Sequence, residues 1–396
     1  MRKNGVNKEL RPVAGGVCAV KGFLASGVAC GIRADGTEDL GLIFAERKCP
    51  TAGVYSTCKR LGAPVEVTKA HLKKGYAQAI LVNGGVANVY FTDGVRLAEQ
   101  ACRLLEKPVG VCAADTAIAS TGRIGEKISL TAFEKGVPLL CAALTDTASG
   151  NKAFVNAIGG EEGVANSCAY SFSLGDFTGT IGAAFKGSLY ASPNMATTLV
   201  FLTTDVNISS EMLQHALSTE VRETLNSLHT GDAQSPNDTV CMMASGRLGN
   251  YRIDCEDTEY KKFCLALRGV LMEICRQIVK GEHGKQLTCK VTGARSKQLA
   301  RAIAKSVVGL HGLKSAIQRR QTGLEDILNA AMDCGADLNG LRVVYATAKT
   351  EVTVFDEGLA LHCTQDILKG VFDGEEIEIR ISVGEGNFSA VALGRL

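Results

Sequence analysis

Two hydroxyl groups stand at the head of an apolar segment near the middle of the chain. Residues 195–202 include Thr197 and Thr198 and are otherwise apolar, and the turn formers of residues 192–194 precede them. This pattern predicts a buried strand or the start of a buried helix. A hydroxyl held at the start of a buried element by a tight turn suits a positioned nucleophile. The simpler interpretation is that both threonines are ordinary β-branched strand residues.

A threonine hydroxyl attacks a carbonyl carbon well only when a base removes its proton. One known solution uses the α-amino group of the threonine itself, which requires the chain to be cut just before that residue. Here the cut would fall between Ala196 and Thr197 and leave fragments 1–196 and 197–396. The new α-amine, with a reference pKa of about 7.7 to 8.0, would then serve as a general base near neutral pH.

Small residues between 118 and 126 form a second candidate element for acyl transfer. These residues could offer a hydroxyl or backbone N–H groups to an oxygen that becomes negative during the reaction. The structural alternative is a turn between a strand and a helix, with Ser120 or Thr121 as the helix N-cap.

Two further polar residues are candidates for the site. One follows a predicted strand, and the other precedes the central segment. Asn83 opens a Gly-rich stretch after the strand predicted at residues 77–82, where backbone could approach a ligand closely or simply form a β-turn. Lys186 precedes Thr197 by eleven positions. Its ammonium could hold a substrate carboxylate or could be a solvated surface group.

Composition excludes several classes of protein. The 396 residues are 46% hydrophobic and 21% charged, with a net charge of +2, which gives no reason to expect nucleic acid or an anionic membrane as partner. No apolar run approaches the ~18 residues of a spanning helix, and the first residues lack the apolar core of a signal peptide, so we expect a cytoplasmic protein. The 15 cysteines and six histidines match no metal motif, and no phosphate loop is present.

Periodicity predicts an α/β protein. The length suits two or three domains or one large α/β unit, and a boundary near residues 281–290 would separate a smaller C-terminal α/β domain. Residues 148–182 are interpreted as an excursion with a short hairpin around Gly159. The main predicted helices are residues 92–107, 209–217, 258–279, 297–308 and 324–334, and the main predicted strands are residues 77–82, 109–113, 139–144, 287–291 and 376–383.

The central segment resembles a specific motif of a known family. Residues 186–199 are similar to the Lys-Gly-Ser-Gly-Met-x-x-Pro-Asn-Met-Ala-Thr-Met-Leu block of the ornithine acetyltransferase family, also called glutamate N-acetyltransferase, which serves arginine biosynthesis. Residues 232–239 resemble its Gly-Asp-x-Ser-Thr-Asn-Asp-Thr block, and residues 145–147 its Thr-Thr-Asp-Thr block. The order of such blocks matches over most of the chain.

This resemblance implies a fold and a set of site residues. The fold would be a layered αββα-type sandwich of the N-terminal-nucleophile-like kind, with a smaller C-terminal α/β domain. The chain would cut itself between Ala196 and Thr197. The residues implied are the nucleophile Thr197, the oxyanion-hole residues Thr121 and Gly122, the substrate-binding residues Thr147, Lys186 and Glu282, and the supporting residues Asn83, Asn194, Asn237 and Asp238.

The resemblance also implies an activity. An acetyl group would pass from N-acetylornithine to glutamate through an ester on Thr197, with no cofactor and no metal. The partners would be amino-acid substrates and the chain's own two fragments, assembled as a dimer of heterodimers. The C-terminal third departs from the family: residues 314–324 replace its Asp-Pro-Asn-Trp region, and the sequence ends at Leu396 where the family continues into a tail that contacts substrate.

Two other activities remain open from the sequence. Water could replace the second amine as acyl acceptor, which would make the protein an amidohydrolase or peptidase. An uncleaved relative could instead act as a binding or scaffold subunit without catalysis.

Overall fold

The structure of the chain is a computed structural model. It describes residues 10–160, 164–187, 198–231, 234–281, 284–337 and 340–396. The strands in these ranges are β1 (Arg11–Pro12), β2 (Phe23–Val28), β3 (Leu40–Tyr55), β4 (Tyr76–Asn83), β5 (Thr116–Ser120), β6 (Val164–Leu174), β7 (Phe177–Gly187), β8 (Thr198–Thr204), β9 (Leu228–His229), β10 (Thr239–Ala244), β11 (Gln286–Ala294), β12 (Arg342–Ala346), β13 (Glu351–Asp356), β14 (Leu359–Ala360), β15 (Glu376–Ser382) and β16 (Phe388–Arg395).

The α-helices of the same ranges lie between these strands. They are α1 (Ala63–His71), α2 (Gly94–Arg103), α3 (Glu106–Val109), α4 (Leu130–Ala142), α5 (Ala148–Ile158), α6 (Ser210–Glu223), α7 (Thr258–Lys280), α8 (Lys297–Gly309), α9 (His311–Gln318), α10 (Leu324–Asp333) and α11 (Gln365–Phe372).

One long strand joins the two halves of the first sheet. The sheet has nine strands in the order β1-β6-β7-β8-β10-β3-β4-β5, with β2 paired to β3. β3 is 16 residues long, and its pairing with β4 shifts register between Phe44 and Cys49. Its first part pairs with β2 and β4, and its last residues pair with β10. The strand therefore takes part in both halves.

Alternating side chains place the two halves face to face between helices. Ile43 and Ile80 of one half share a buried cluster with Phe201 and Met243 of the other. Because side chains alternate along a strand, their neighbours point outward: Leu42 and Leu81 pack with helices α2 and α4, and Val200 and Leu202 pack with α6 and α7. The order is helix, sheet, sheet, helix, which confirms the predicted layered α/β class.

The second sheet forms the smaller C-terminal part of the chain. Its order is β14-β13-β12-β15-β11-β16-β9, and its core contains buried residues from Leu287 to Ala392 that include side chains of α8 to α11. Only β9 comes from the earlier part of the described chain. It pairs in parallel with β16 through Leu228 and His229, which links the second sheet to the layers before it.

Three sequence predictions about local structure are wrong. Residues 109–113 are not a strand, because Val109 ends α3 and a turn follows. Residues 139–144 are the end of α4 and the turn after it; Phe133, Val137 and Leu140 are buried at helical spacing while Leu139 is 55% exposed. Short apolar runs of this kind fit a strand or a buried helix equally well.

The third correction concerns the segment before Lys186. Its first part is helix α5, and the hairpin that follows is long: β6 and β7 pair over eleven residues each and turn at Gly175 and Asp176. Gly159 and Gly160, where a short hairpin was expected, instead follow the C-terminal end of α5.

Candidate active site

Strand ends from distant parts of the sequence meet at one place. Asn83 at the end of β4 lies opposite Ser120 at the end of the parallel strand β5. At the end of β7, Gly187 lies opposite Thr198, which begins β8. Strand β10 runs parallel to β8 from Thr239 onward, so the residues just before it lie beside the start of β8. Most of the predicted site residues therefore lie at these strand ends.

Four of the predicted residues lie outside the described part of the chain. They are Asn194, Ala196, Thr197 and Glu282. Thr198 is the first described residue after the predicted cleavage point, and its N–H donates to Asp238 Oδ1 at 2.6 Å. Because Thr198 N is bonded to the carbonyl carbon of Thr197, the Asp238 carboxyl group contacts the peptide that follows the predicted nucleophile.

Asp238 is a buried carboxyl group with one free oxygen. Its side chain is fully buried, and Oδ2 has no hydrogen-bond partner among the described residues. Burial raises the pKa of Asp238 well above its usual 3.8, although the hydrogen bond from Thr198 acts in the opposite direction. Desolvation penalises the charged form of a carboxyl group, so the neutral acid is favoured beside the start of β8.

The raised pKa of Asp238 predicts that stability falls as pH rises. The folded chain binds this proton more tightly than the unfolded chain does, so the stabilisation is complete below about pH 4 and is lost as pH rises toward the folded pKa. Asp238→Asn keeps an oxygen acceptor for Thr198 and removes the titration. Thermal melting of both proteins over a pH series should show the wild type losing stability relative to the variant as pH increases. Parallel curves would contradict this prediction.

Asn237 connects the start of β10 to the other half of the sheet. Its Nδ2 donates to Ala87 O at 2.6 Å and to Ser120 O at 3.0 Å. The side chain is only 6% exposed. Asn237 therefore contacts the segment of the predicted oxyanion hole, while the next residue, Asp238, holds the strand that begins after Thr197.

Asn83 organises the turn at the end of β5. Ser120 Oγ donates to Asn83 Oδ1 at 2.6 Å, and Thr121 N donates to Asn83 O at 3.0 Å. Asn83 Nδ2 in turn donates to Val86 O at 2.8 Å. The structural alternative, in which Ser120 or Thr121 is a helix N-cap, is wrong. The next helix starts ten residues after Ser120, and its N-cap is Ser129.

Two hydrogen-bond donors remain for an oxyanion in this turn. The backbone N–H of Thr121 is occupied by Asn83, whereas Thr121 Oγ1 and the N–H of Gly122 have no partner in the ranges that the structure describes. Gly122 has a φ of +133°, and a Cβ atom there would lie 2.2 Å from the carbonyl carbon of Gly85. Only glycine fits this position.

The structure does not bring Thr147 and Lys186 together. Lys186 is 9% exposed, and its Nζ donates to Gly159 O at 3.1 Å, at the C-terminal end of α5. Thr147 is the exposed N-cap residue of the same helix, where Oγ1 bonds to Thr145 and Ser149. A helix of 11 residues is about 16 Å long. The role of Thr147 therefore stays a prediction from the resemblance.

Sequence reasoning missed two residues beside this site. Asp39 is fully buried and accepts N–H groups from the loop that ends at Arg33, and Arg33 contacts the same carbonyl oxygen as Lys186. An acidic residue after the Asp-Gly turn at residues 35–36 was the only available signal for this loop.

The described ranges contain neither a candidate metal cluster nor a candidate membrane-spanning helix. No group of three or more His, Cys, Asp or Glu side chains there could hold a metal ion. No helix within those ranges has both the length and the apolar character needed to cross a lipid bilayer.

The layers and the site together define a class of protein. Two sheets packed face to face between helices, with polar groups around the start of a central strand, are an α/β fold of the N-terminal-nucleophile type. The sequence model of the ArgJ family matches residues 24–395. The chain belongs to the ArgJ family.

Curated relatives agree with this assignment. The chain is 34% identical over 331 residues to a Nostoc sp. protein named arginine biosynthesis bifunctional protein ArgJ 1. The matched residues are 82% of this chain and 79% of that protein. It is 31% identical over 403 residues to the Bacillus licheniformis protein named arginine biosynthesis bifunctional protein ArgJ, covering 97% and 94% of the two chains.

Solved structures of similar proteins include a crystal structure of the Bacillus halodurans arginine biosynthesis bifunctional protein ArgJ. It is 30% identical, covers 47% of this chain and 98% of that one, and has a TM-score of 0.45. The Mycobacterium tuberculosis ornithine acetyltransferase complexed with ornithine is 29% identical, covers 41% and 88% of the two chains, and has a TM-score of 0.39.

Proposed function

We propose that this protein is an acetyltransferase of arginine biosynthesis that cleaves itself before Thr197 and carries the acetyl group on that residue. Membership of the ArgJ family supports the pathway. One observation supports the site: Asn237 and Asp238 are consecutive, and they hold the Ser120 carbonyl and the Thr198 N–H respectively. The proposed nucleophile and the proposed oxyanion hole are thereby tied to the same dipeptide.

Maturation is proposed to use the same hydroxyl as catalysis. Thr197 Oγ attacks the carbonyl carbon of Ala196, the peptide C–N bond breaks, and an ester forms while the nitrogen takes up the proton. Water then hydrolyses the ester and leaves a carboxylate on Ala196 and a free α-amine on Thr197. That amine is the base for turnover, because its ordinary pKa lies near neutral pH.

Turnover is proposed to move an acetyl group from N-acetylornithine to glutamate. The α-amine accepts the Thr197 Oγ proton while Oγ attacks the acetyl carbonyl, and the negative oxygen is stabilised by Thr121 Oγ1 and the Gly122 N–H. The released ornithine nitrogen takes the proton from the α-amine. The amine of glutamate then attacks the ester carbonyl carbon, the bond from that carbon to Thr197 Oγ breaks, and the proton lost by the amine passes through the α-amine to Oγ, which regenerates the hydroxyl and releases N-acetylglutamate.

Substrate recognition is proposed to use the charged and polar residues around the strand ends. Lys186 is the candidate contact for a substrate carboxylate, because an ammonium group binds such a charge directly. Thr147 and Glu282 are proposed as further substrate contacts from the resemblance alone, and Asn194 is proposed from it as a supporting residue. Asn83 supports the site by fixing the turn that carries the oxyanion-hole donors.

The experiment that tests this function follows the fate of the acetyl group. Purified protein is incubated with N-acetylornithine, with and without glutamate, and both N-acetylglutamate and free acetate are measured. We expect N-acetylglutamate to form only when glutamate is present and to exceed acetate. Acetate release that added glutamate leaves unchanged would identify a hydrolase instead. A protein that is processed but forms neither product would refute the proposal.

Assembly and location are proposed on the same basis. Two copies of each fragment would form a dimer of heterodimers, in the cytoplasm, with no cofactor. The C-terminal part of the chain is proposed to begin near residues 281–290, a range that includes the start of strand β11 of the second sheet.

A further inference from the structure

We propose that Arg33 is a positioning residue that holds the end of helix α5 and, through Gly159, the ammonium group of Lys186 beside the oxyanion hole. The inference rests on the proposed function, because it concerns the residue that would bind the substrate carboxylate. Four groups of contacts support it: the turn around Asp39, the end of α5, the oxygen shared with Lys186, and the glycines beside the oxyanion hole.

A buried carboxylate shapes the loop that carries Arg33. Asp39 is fully buried, and its Oδ1 accepts the N–H of Cys30 at 2.8 Å. Its Oδ2 accepts the N–H groups of Gly31, Ile32 and Arg33 at 3.1, 2.6 and 2.9 Å. Successive backbone N–H groups around one anion form a rigid concave turn. The backbone position of Arg33 is therefore determined before its side chain makes any contact.

The guanidinium of Arg33 is occupied by backbone carbonyl groups. Nη1 donates to Glu38 O at 2.6 Å and to Asn156 O at 3.2 Å, and Nη2 donates to Ala157 O at 3.0 Å and to Gly159 O at 2.5 Å. Three of these carbonyls belong to the C-terminal end of α5, where unpaired oxygens and the helix dipole favour a cation. With both Nη atoms engaged, Arg33 serves to hold the backbone and not to bind a substrate anion.

Gly159 O is shared by Arg33 and Lys186. Lys186 Nζ donates to the same oxygen at 3.1 Å. A Cβ atom on Gly160 would lie 3.4 Å from Lys186 Nζ and 3.7 Å from Arg33 Nη2, so both cations face this short segment. When Lys186 turns toward a substrate carboxylate, Arg33 still occupies Gly159 O. The segment therefore keeps its position, and Gly159 O stays available to Lys186 Nζ when the substrate leaves.

Arg33 also packs against Gly84 and Gly85, the second of which is hydrogen-bonded to the segment of the oxyanion hole. A Cβ atom on Gly84 would lie 2.2 Å from Arg33 Nη2, and one on Gly85 would lie 3.0 Å from Arg33 Cγ. Gly85 O accepts the N–H of Arg123, the residue after Gly122. Arg33 thus lies between the oxyanion-hole segment and the Lys186 segment and sets the distance between them.

The test is a double-mutant cycle between Arg33 and Lys186. Arg33→Met keeps the apolar stem and removes the donors, and Lys186→Met removes the proposed anion contact. We expect Arg33→Met to raise KM for N-acetylornithine about tenfold with little change in kcat, because it displaces a binding group and not the nucleophile. If Arg33 acts through Lys186, the double variant should match Lys186→Met alone, since coupled residues are not additive.

Controls separate this role from a general effect on folding. Arg96→Met changes an exposed arginine that pairs with Asp93 on α2 and should leave KM unchanged. Arg33→Lys retains a cationic donor group for the α5 carbonyls and should recover part of the lost affinity. Self-cleavage should remain complete in all of these variants, which also reports that the chain folds.

Three results would overturn the inference. Additive losses of Arg33→Met and Lys186→Met would show independent roles, and a fall in kcat with KM unchanged would place Arg33 elsewhere in the reaction. A wild-type protein that transfers no acetyl group would refute the proposed function and this inference together. Transfer by the wild type with an additive cycle would refute only the role of Arg33. If Arg33→Met does not fold, the cycle is run with Arg33→Lys, and the same additivity decides it.

Discussion

Gly122→Ala is expected to reduce acetyl transfer by about a hundredfold or more, the usual cost of losing one oxyanion-hole donor. Gly122 has a φ of +133°, which an alanine rarely adopts, and an added Cβ atom would lie 2.2 Å from the backbone of Gly85. The turn must therefore move, and the N–H of Gly122 moves with it. The measurement is the rate of N-acetylglutamate formation, together with the extent of self-cleavage.

A glycine in the same turn region supplies the matched control. Gly125 also has a positive φ, +90°, but a Cβ atom there would have no atom within 4 Å. Gly125→Ala carries the backbone penalty without the collision and should keep most of the transfer activity. If both variants transfer at the wild-type rate, the Gly122 N–H is not an oxyanion donor.

Asp238→Ala is expected to impair both self-cleavage and transfer. The change removes the carboxyl oxygen that accepts the Thr198 N–H and empties space in a fully buried position next to the proposed nucleophile. An unsatisfied buried donor costs about 1–3 kcal/mol. Since a displacement of about 1 Å at a reacting group can cost a hundredfold in rate, we expect a loss of that order in transfer and incomplete processing on a denaturing gel.

Asp238→Asn is the control that separates position from charge. The asparagine offers an oxygen to Thr198 N, so this variant should process and transfer far better than Asp238→Ala. Equal defects in the two variants would mean that the carboxyl group itself takes part in the chemistry. Normal processing and transfer by Asp238→Ala would show that Asp238 does not position the nucleophile.

The sequence predicted two kinds of feature. Apolar periodicity predicted regular helices, and motifs of the family predicted residues that lie around the candidate site. The long helix α7 and the helix α8 have regular apolar spacing and were predicted nearly to their bounds. The turn with Thr121 and Gly122 and the dipeptide Asn237–Asp238 were named as site residues from their motifs. The hydrogen bonds around them agree with a supporting role, since Asn237 contacts Ser120 and Asp238 contacts Thr198.

Other features depend on contacts that local sequence cannot report. Leu139 lies in a short apolar run that fits a strand as well as a helix. The run is helical in the structure, where α4 packs against the sheet. The Arg33 side chain meets Ala157 across 124 positions of sequence. An isolated arginine carries no signal of such a partner, because its contacts are with a helix that is distant in sequence.

The distance between Thr147 and Lys186 shows the limit of transferring site residues by motif. Both match family blocks in sequence, yet helix α5 lies between them, with Thr147 at its N-terminal end and Gly159, the partner of Lys186, after its C-terminal end. A motif reports residue type and order, whereas the separation of these two residues depends on the helix that lies between them.

The most direct test of the account is the intact mass of the purified wild-type chain beside Thr197→Ala. We predict two wild-type fragments, the second beginning at Thr197 by N-terminal sequencing, and a single Thr197→Ala chain of about 41.7 kDa. A wild-type chain that remains whole while it transfers acetyl groups, or a Thr197→Ala chain that is still cut, would contradict the central claim.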